Sequence, residues 1–247
     1  INAAPRPGLK ALIEAAGLSD ATLTAGNIGF QLAPRLNAGG RIGSAKRSYD
    51  LLAATDPAEA ATIAAELEEE NRTRRDVEEQ IQLEAEAQLE SFDFPAHRAL
   101  VLAGKDWNPG VIGLTASRLV EKYHYPTILL SERDGVLTGS CRSIPGVDIH
   151  AALTAVKHLL VKYGGHRQAA GLTLTTDHLD DFRAELDAWL FQNIPSAAYV
   201  PEMEYDLSVH FSELTAAFVQ ELDALAPTGF GNPAPVLRAT AIPVETK

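Results

Sequence analysis

The chain has 247 residues, 46% hydrophobic and 22% charged, with a formal net charge of −12, which is ample apolar material for one large or two ordinary cores. Its single cysteine, Cys141, excludes an intrachain disulfide and a multi-cysteine zinc site and fits a reducing cytosol, so a cytoplasmic location is expected. No run approaches the roughly 18 consecutive apolar residues of a membrane span and no basic-then-apolar signal opens the chain, so no membrane partner is expected.

In chain order, residues 8–17 pattern as a short helix, and Asp50 lies in a second apolar stretch that ends near Ala54. Between them Pro34-Arg35-Leu36-Asn37-Ala38-Gly39-Gly40-Arg41 reads as a loop. Asp56 is a helix N-cap with Pro57 at the first helical position. From there to about Glu90 no glycine or proline interrupts a run of good helix formers. Such a helix of about 34 residues is roughly 50 Å long. Glu68 to Arg72 and Glu70 to Arg74 are expected to pair at i, i+4. Apolar positions such as Ile63, Leu67, Val77, Ile81, Ala85 and Leu89 are sparse, so the acidic run is expected to be a solvated face on a rigid connector between two lobes.

After Pro95 the pattern alternates. Residues 99–103 read as a buried strand, 110–122 as a helix, 127–131 and 136–142 as strands around an Arg133-Asp134-Gly135 turn. Asp148 caps a helix expected to run to Tyr163, followed by a strand at 171–175 and a helix at 177–191. The expected fold is α/β, a lobe built on a mixed sheet. Beyond Pro195 come a strand near 203–207, a helix at 212–225, the loop Pro227-Thr228-Gly229-Phe230-Gly231-Asn232-Pro233 and a last strand from near Val236. Ile1 opens the chain and Met203 is its one methionine, so an upstream part is expected to be missing.

Charge is unevenly spread. Residues 1–55 carry +3 and residues 96–175 carry +4, whereas residues 56–95 carry −10 and residues 176–247 carry −9. The candidate motifs fall in the two positive segments, which keeps an anionic ligand in view despite the overall sign.

Gly164-Gly165-His166-Arg167-Gln168-Ala169-Ala170-Gly171 is expected at a helix-to-strand junction. Glycines remove side-chain bulk and admit positive φ, so neighbouring N–H groups can form an anion-binding concavity beside the imidazole. The alternative is that Gly164 ends the preceding helix and His166 is a packed or solvated histidine. In Ser140-Cys141-Arg142-Ser143, strand alternation puts Ser140 and Arg142 on one face and Cys141 on the other. A hydroxyl beside a guanidinium fork suits phosphate; a surface arginine at a strand end is the plainer reading, and a buried structural thiol is the reading for Cys141. Arg35, Asn37 and Arg41 surround small residues and either present donors to a phosphate or are solvated. Trp107, in Trp107-Asn108-Pro109-Gly110-Val111-Ile112-Gly113, either stacks on a base or packs in a core, the commoner case. A helix N-terminus following glycine here is an anion site in principle. The seven histidines show no close ligand spacing, and no phosphate-loop, nucleophile-elbow or dinucleotide fingerprint is present. No metal site is expected in this chain.

Four blocks, residues 34–41, 107–119, 139–146 and 164–171, resemble in consistent order the RecJ family, bacterial single-strand-specific 5′-to-3′ DNA exonucleases of the DHH phosphoesterase superfamily. The resemblance implies that residues 1–55 are the C-terminal part of the catalytic DHH lobe and 56–92 the connecting helix. Residues 93–196 are then a DHH-associated substrate-binding lobe, and 197–247 the beginning of an OB-like domain. It implies a phosphodiester hydrolase of DNA repair and recombination. In the family, upstream Asp and His residues hold the manganese or magnesium that activates water, and none of those motifs is here, so the chain alone is expected to be inactive. His166 matches the active-site histidine. Ser140 and Arg142 match a pair gripping the terminal 5′ phosphate, beside Gly164 and Gly165. Arg35 or Arg41 is a third phosphate contact, and Asn37, Trp107 and Ser143 are candidate DNA contacts. The implied partners are single-stranded DNA, single-strand-binding protein and a recombination helicase. Thr228 departs from the pattern, where an aromatic is expected. Two other readings stand beside this one: a phosphodiesterase for short oligonucleotides or cyclic dinucleotides, and a non-catalytic nucleic-acid-binding scaffold.

Overall fold

The computed structural model describes residues 1–229 and 231–239. Helix α1 (Pro7–Ala15) starts on a proline, whose missing N–H the first turn does not use, and buries Leu12 and Ile13. The single turn α2 (Ala25–Asn27) is closed by a capping box between Thr24 and Asn27. It continues through a π-helical turn, Ile28–Leu32, into α3 (Ala33–Ile42), and α4 (Ala45–Ala53) follows after the Ser44 cap.

The segment 34–41, expected as a loop, is therefore helix. Pro34 stands in the first turn, where it is tolerated. Gly39 lies where α3 approaches the next helix so closely that a Cβ would stand 3.0 Å from the Ser44 carbonyl oxygen and 3.2 Å from Glu70. Packing that only a bare backbone permits outweighs the roughly 1 kcal/mol helix penalty of each glycine.

Helix α5 (Pro57–Leu89) has 33 residues, and its Asp56 cap accepts the Ala58 N–H at 2.9 Å. Its buried positions recur every three or four residues and so form one stripe. Ala60, Ala64 and Leu67 join Leu12, Leu32 and Leu51 in a first core. Ile81, Ala85 and Leu89 join a second, which includes Leu100, Leu102 and Leu129. Between the two the stripe turns polar, with Asn71, Arg74 and Glu78 all buried. The connector expectation gains a refinement here, because part of the acidic run is sealed between lobes instead of solvated. The expected pairs also change: Glu68 meets Arg35 and Arg75, Glu70 meets Arg47, Arg72 meets Glu69, and Arg74 meets Glu78. Tertiary partners on α3 and α4 take the carboxylates that local spacing assigned to the helix itself.

The second lobe is a five-stranded mixed sheet. Strand β1 (Leu100–Lys105), α6 (Ile112–Tyr123), β2 (Thr127–Arg133), β3 (Val136–Arg142), α7 (Ile149–Ala155), β4 (Lys162–His166), β5 (Ala169–Thr175) and α8 (Leu179–Asn193) give the order β1-β2-β3-β5-β4. Only β1 and β2 run parallel. Alternating residues of the strands face α6 and α5 on one side, and on the other side α7 and α8, where Ile128, Leu130, Leu137, Phe182 and Leu186 form the largest core.

Asp148 caps α7 as expected, accepting the Ala151 N–H at 2.9 Å, but the helix stops at Ala155 and not near Tyr163. After a 3₁₀ turn, Lys157–Leu159, the chain extends, and the Val161 N–H bonds the Thr173 carbonyl at 2.8 Å. Antiparallel pairing with β5 captures Val161 and Tyr163, residues that suit a strand. The Gly164-Gly165-His166 block is consequently the end of an edge strand that turns back through Arg167 and Gln168, not a helix terminus.

Two short strands, β6 (Leu207–Ser208) and β7 (Leu237–Arg238), pair in parallel around α9 (Ala216–Asp223). Phe230 and residues 240–247, where the final expected strand continues, lie outside the described residues. Among the described residues no helix is long and apolar enough to cross a membrane.

Candidate active site

The register of three strands builds the site. Arg142 pairs with Ala169 and Ala169 with His166, while Ser140 pairs with Gly171 and Gly171 with Gly164. Directly opposed residues share a face of the sheet, so Ser140, Arg142, Gly164 and His166 all lie on the side that carries α6. Helix α6 covers that side over β2 and β3, α5 covers it over β1, and it is left open over β5 and β4, where Gly164, His166 and Gly171 are exposed. The result is a glycine-floored shelf with Arg142 at one edge and His166 at the other, about 10 Å apart across two strand spacings.

Glycine is required at 165. Its φ is +144°, and a Cβ there would meet the Ala169 carbonyl oxygen and the Ala170 Cα at 2.5 Å. Any side chain would lift β4 off β5 and tilt the shelf. At Gly164 nothing lies within 4 Å of the corresponding position, which is open room above the floor.

At the Arg142 edge the Nη1 group donates to Ser140 Oγ at 3.2 Å and to the Cys141 carbonyl at 2.8 Å. Gly113, in the first turn of α6, sits directly over the pair: a Cβ would be 2.9 Å from both Ser140 Oγ and Arg142 Nη2. Arg41 reaches across from the first lobe, donating from Nη1 to the Gly110 carbonyl at 3.1 Å. Gly110 admits this approach because it has no Cβ, which would stand 2.2 Å from the Arg41 carbonyl oxygen. Burial lowers the Arg142 pKa, and the Arg41 charge adds to that against the opposing pull of Cys141. Arginine nevertheless stays charged. Among the described residues no carboxylate pairs with Arg41 or Arg142. Two guanidinium groups are thus close enough for the charge of one to act on the other, Arg142 also holding a hydroxyl, and neither pairs with a carboxylate among the described residues.

The other candidate residues fall elsewhere. Arg35 ion-pairs with Glu68 and donates to the Gln31 carbonyl at 2.6 Å, so of the two arginines in 34–41 it is Arg41 that lies at Arg142. Six residues apart on a helix, they point about 120° from each other. Asn37 is exposed and lines the cleft between the lobes, away from the shelf. Trp107 is buried and its indole N–H donates to Glu84 at 2.6 Å, which removes it from the DNA-contact candidates. Together with Gln80, the larger contributor, this bond holds the Glu84 carboxyl below its ordinary range. Ser143 is buried too, donating to the Val147 carbonyl at 2.9 Å, so it braces the turn after β3. Gly113 is expected to let its helix pack closely against the sheet, as it does over Ser140 and Arg142; what sequence reasoning missed is that this contact falls on the pair itself and that Gly110 admits Arg41. The signal was there in the two glycines of a block already singled out, but their neighbours come from other elements.

A family model described as the DHHA1 domain matches residues 96–192. The chain is 36% identical over 232 residues to the single-stranded-DNA-specific exonuclease RecJ of Bacillus subtilis, covering 93% of this chain and 29% of that protein. It is 34% identical over 239 residues to RecJ of Escherichia coli, covering 94% and 41%. Its structure matches that of RecJ from Thermus thermophilus in complex with Mn²⁺ with a TM-score of 0.81 at 32% identity, covering 94% of this chain and 34% of that one. The chain therefore spans between 29% and 41% of the length of these relatives.

Proposed function

We propose that this chain, a homologue of RecJ whose residues 96–192 are a DHHA1 domain, is the substrate-gripping part of a cytoplasmic, metal-dependent single-stranded-DNA 5′-to-3′ exonuclease. The observation that carries the reading is the uncompensated pair of guanidinium groups, Arg142 on Ser140 Oγ and Arg41 near enough for its charge to act on Arg142. A terminal phosphate supplies the missing anion and accepts bidentate hydrogen bonds from such forks.

In this reading the 5′ phosphate rests against Ser140, Arg142 and Arg41 under the first turn of α6. Gly164 and Gly171 leave room for the sugar-phosphate backbone to cross the shelf close to the sheet, and Gly165 keeps β4 against β5 beneath it. His166, at the far edge, orients or protonates the scissile phosphate. The family's metal is manganese or magnesium, as in the Thermus structures. The described residues do not fit such an ion, because no three His, Cys, Asp or Glu side chains gather among them. Water activation is accordingly assigned to none of them.

The test is a comparison of 5′-phosphorylated and 5′-hydroxyl single strands. In the intact protein Arg142→Ala abolishes the preference for the phosphorylated end and lowers its affinity about 10- to 100-fold, the range expected for losing charge-assisted hydrogen bonds worth about 1.5–3 kcal/mol. His166→Ala lowers the cleavage rate and leaves that affinity in place. An Arg142→Ala protein that still prefers the phosphorylated end sinks the reading.

A further inference from the structure

Two hairpins belong to the five-stranded sheet, and they are closed differently. Between β2 and β3 the central residues Asp134 and Gly135 take φ of +52° and +77°, as the type I′ turn favoured in two-residue hairpins requires. That turn is fixed by its own residues. Between β4 and β5 the central residues are Arg167 and Gln168, and neither takes a positive φ. The turn beside His166 therefore lacks the geometry that matches the twist of its strands, and groups outside it must hold it.

The holding groups come from residues 143–149, the segment that follows Arg142. The Ser143 N–H donates to the Gln168 carbonyl at 3.0 Å, continuing the β3–β5 register one residue past the strands, and the Ile149 N–H donates to the Arg167 carbonyl at 3.0 Å. The two donors are in turn fixed relative to each other. Ile144, Pro145, Gly146 and Val147 form a β-turn closed by the Val147 N–H on the Ile144 carbonyl at 3.2 Å, with Gly146 at φ +87°, where a type II turn needs glycine. The buried Ser143 hydroxyl donates to the Val147 carbonyl at 2.9 Å and so ties the start of the segment to its far side. Asp148 then caps α7. Ile149 is the first residue of that helix, and its N–H is one that the helix itself leaves unpaired.

We propose that Ser143 and Asp148 are positioning residues for His166: they lock residues 143–149 into a brace that sets the β4–β5 turn, and with it the placement of the imidazole at the edge of the shelf. This rests on the reading of His166 as the group that acts on the scissile phosphate. Without the Ser143 hydroxyl the carbonyl of the fully buried Val147 loses its donor; the segment shifts toward water and the turn moves with it. Arg142 lies within β3, paired with Thr127 on one side and Ala169 on the other, and stays in place. A displacement of about 1 Å at a reacting group costs up to about 100-fold in rate, so the brace acts on cleavage and not on the grip of the terminal phosphate.

Single-turnover cleavage of a 5′-phosphorylated single strand by the intact protein, with affinity read separately in EDTA, tests it. Ser143→Ala lowers the rate about tenfold and leaves the affinity within about twofold. Asp148→Ala, which removes the cap, lowers the rate in the same way, and Asp148→Asn, which still caps, restores it to within about twofold. Combined with His166→Ala, Ser143→Ala causes no further loss, because a residue that acts through another is not additive with it. A double variant slower than His166→Ala by the full tenfold means that Ser143 acts through something other than His166, and overturns the proposal. So does a Ser143→Ala protein that cleaves as fast as the unmodified one. If His166→Ala itself cleaves at the unmodified rate, the reading of His166 has failed and the brace has no reacting group to position. Should Ser143→Ala not fold, Asp148→Ala and Asp148→Asn carry the same cycle with His166→Ala.

Discussion

Arg74 and Arg142 are both arginines withdrawn from water, and the protein treats them in opposite ways. Arg74, in the middle of α5, meets the buried Glu78 carboxylate and Asn71, and Glu78 takes a second guanidinium from Arg118 of α6. Every charge there finds its counterpart inside the fold. Arg142, at the end of β3, meets a hydroxyl, a backbone carbonyl and another arginine. What marks a ligand site is therefore the lack of compensation, not the presence or burial of arginine. Withdrawing a charge from water without a partner is costly, and at the half-buried Arg142 the proposed terminal phosphate would offset that cost.

The largest expected effect tests the compensated side. Glu78→Gln keeps the shape of the side chain and removes its charge, leaving Arg74 buried without a carboxylate. Breaking a buried pair in this way is expected to cost about 3–5 kcal/mol of stability. Arg142→Ala, by contrast, removes a cation that nothing in the fold neutralises and is expected to change stability by less than about 1 kcal/mol while losing the phosphate. Denaturant unfolding of both variants measures the contrast. Equal destabilisation means Arg142 is a structural residue, and the comparison collapses.

Gly113→Ala sharpens the other side with a smaller effect. The added methyl would lie 2.9 Å from Ser140 Oγ and Arg142 Nη2, both ends of movable side chains, so the pair shifts and the helix does not. Alanine in place of glycine in a helix is favourable by up to about 1 kcal/mol. The expected outcome is thus a protein of equal or greater stability whose affinity for a 5′ phosphate falls about tenfold, roughly 1.4 kcal/mol. A variant that loses stability and keeps affinity places α6 elsewhere than over the phosphate.

Much of this contrast was legible in the sequence, and the rest was not, for physical reasons. Strand alternation alone put Ser140 and Arg142 on one face with Cys141 opposite, because a period of two leaves no choice once the strand is assigned. Asp56 and Pro57 likewise announce the start of α5, a local matter of cap and φ. Residues 34–41 misled because Gly39 and Gly40 lower helix propensity, and the contact that reverses this lies on α5 and Ser44. Gly164 and Gly165 misled for the same kind of reason: β4 is extended by its pairing with β5, which no local pattern encodes. Glu68 and Glu70 have basic residues four positions on, yet α3 and α4 supply Arg35 and Arg47 instead. Which arginine reaches Arg142 followed only from the helix that separates Arg35 from Arg41.

The smallest effect concerns the face behind Arg142. Cys141 is one residue away and points into the core, where burial pushes its thiol up to about 12 from an ordinary 9.0, with the Arg142 charge pulling the other way. The folded state holds that proton more tightly than the unfolded one, so the contribution to stability is complete below pH 9 and is lost as pH rises from there toward 12. At pH 8 the native thiol should resist iodoacetamide and react only as fast as the protein opens, since the thiolate is the reactive form. Arg142→Ala should leave that protection intact, because the seal comes from α7, α8 and the strands and not from the guanidinium. Rapid alkylation in the variant would mean that Arg142 closes the sheet from its own side. Its burial would then serve the core, and the phosphate would be answering a charge placed there for packing.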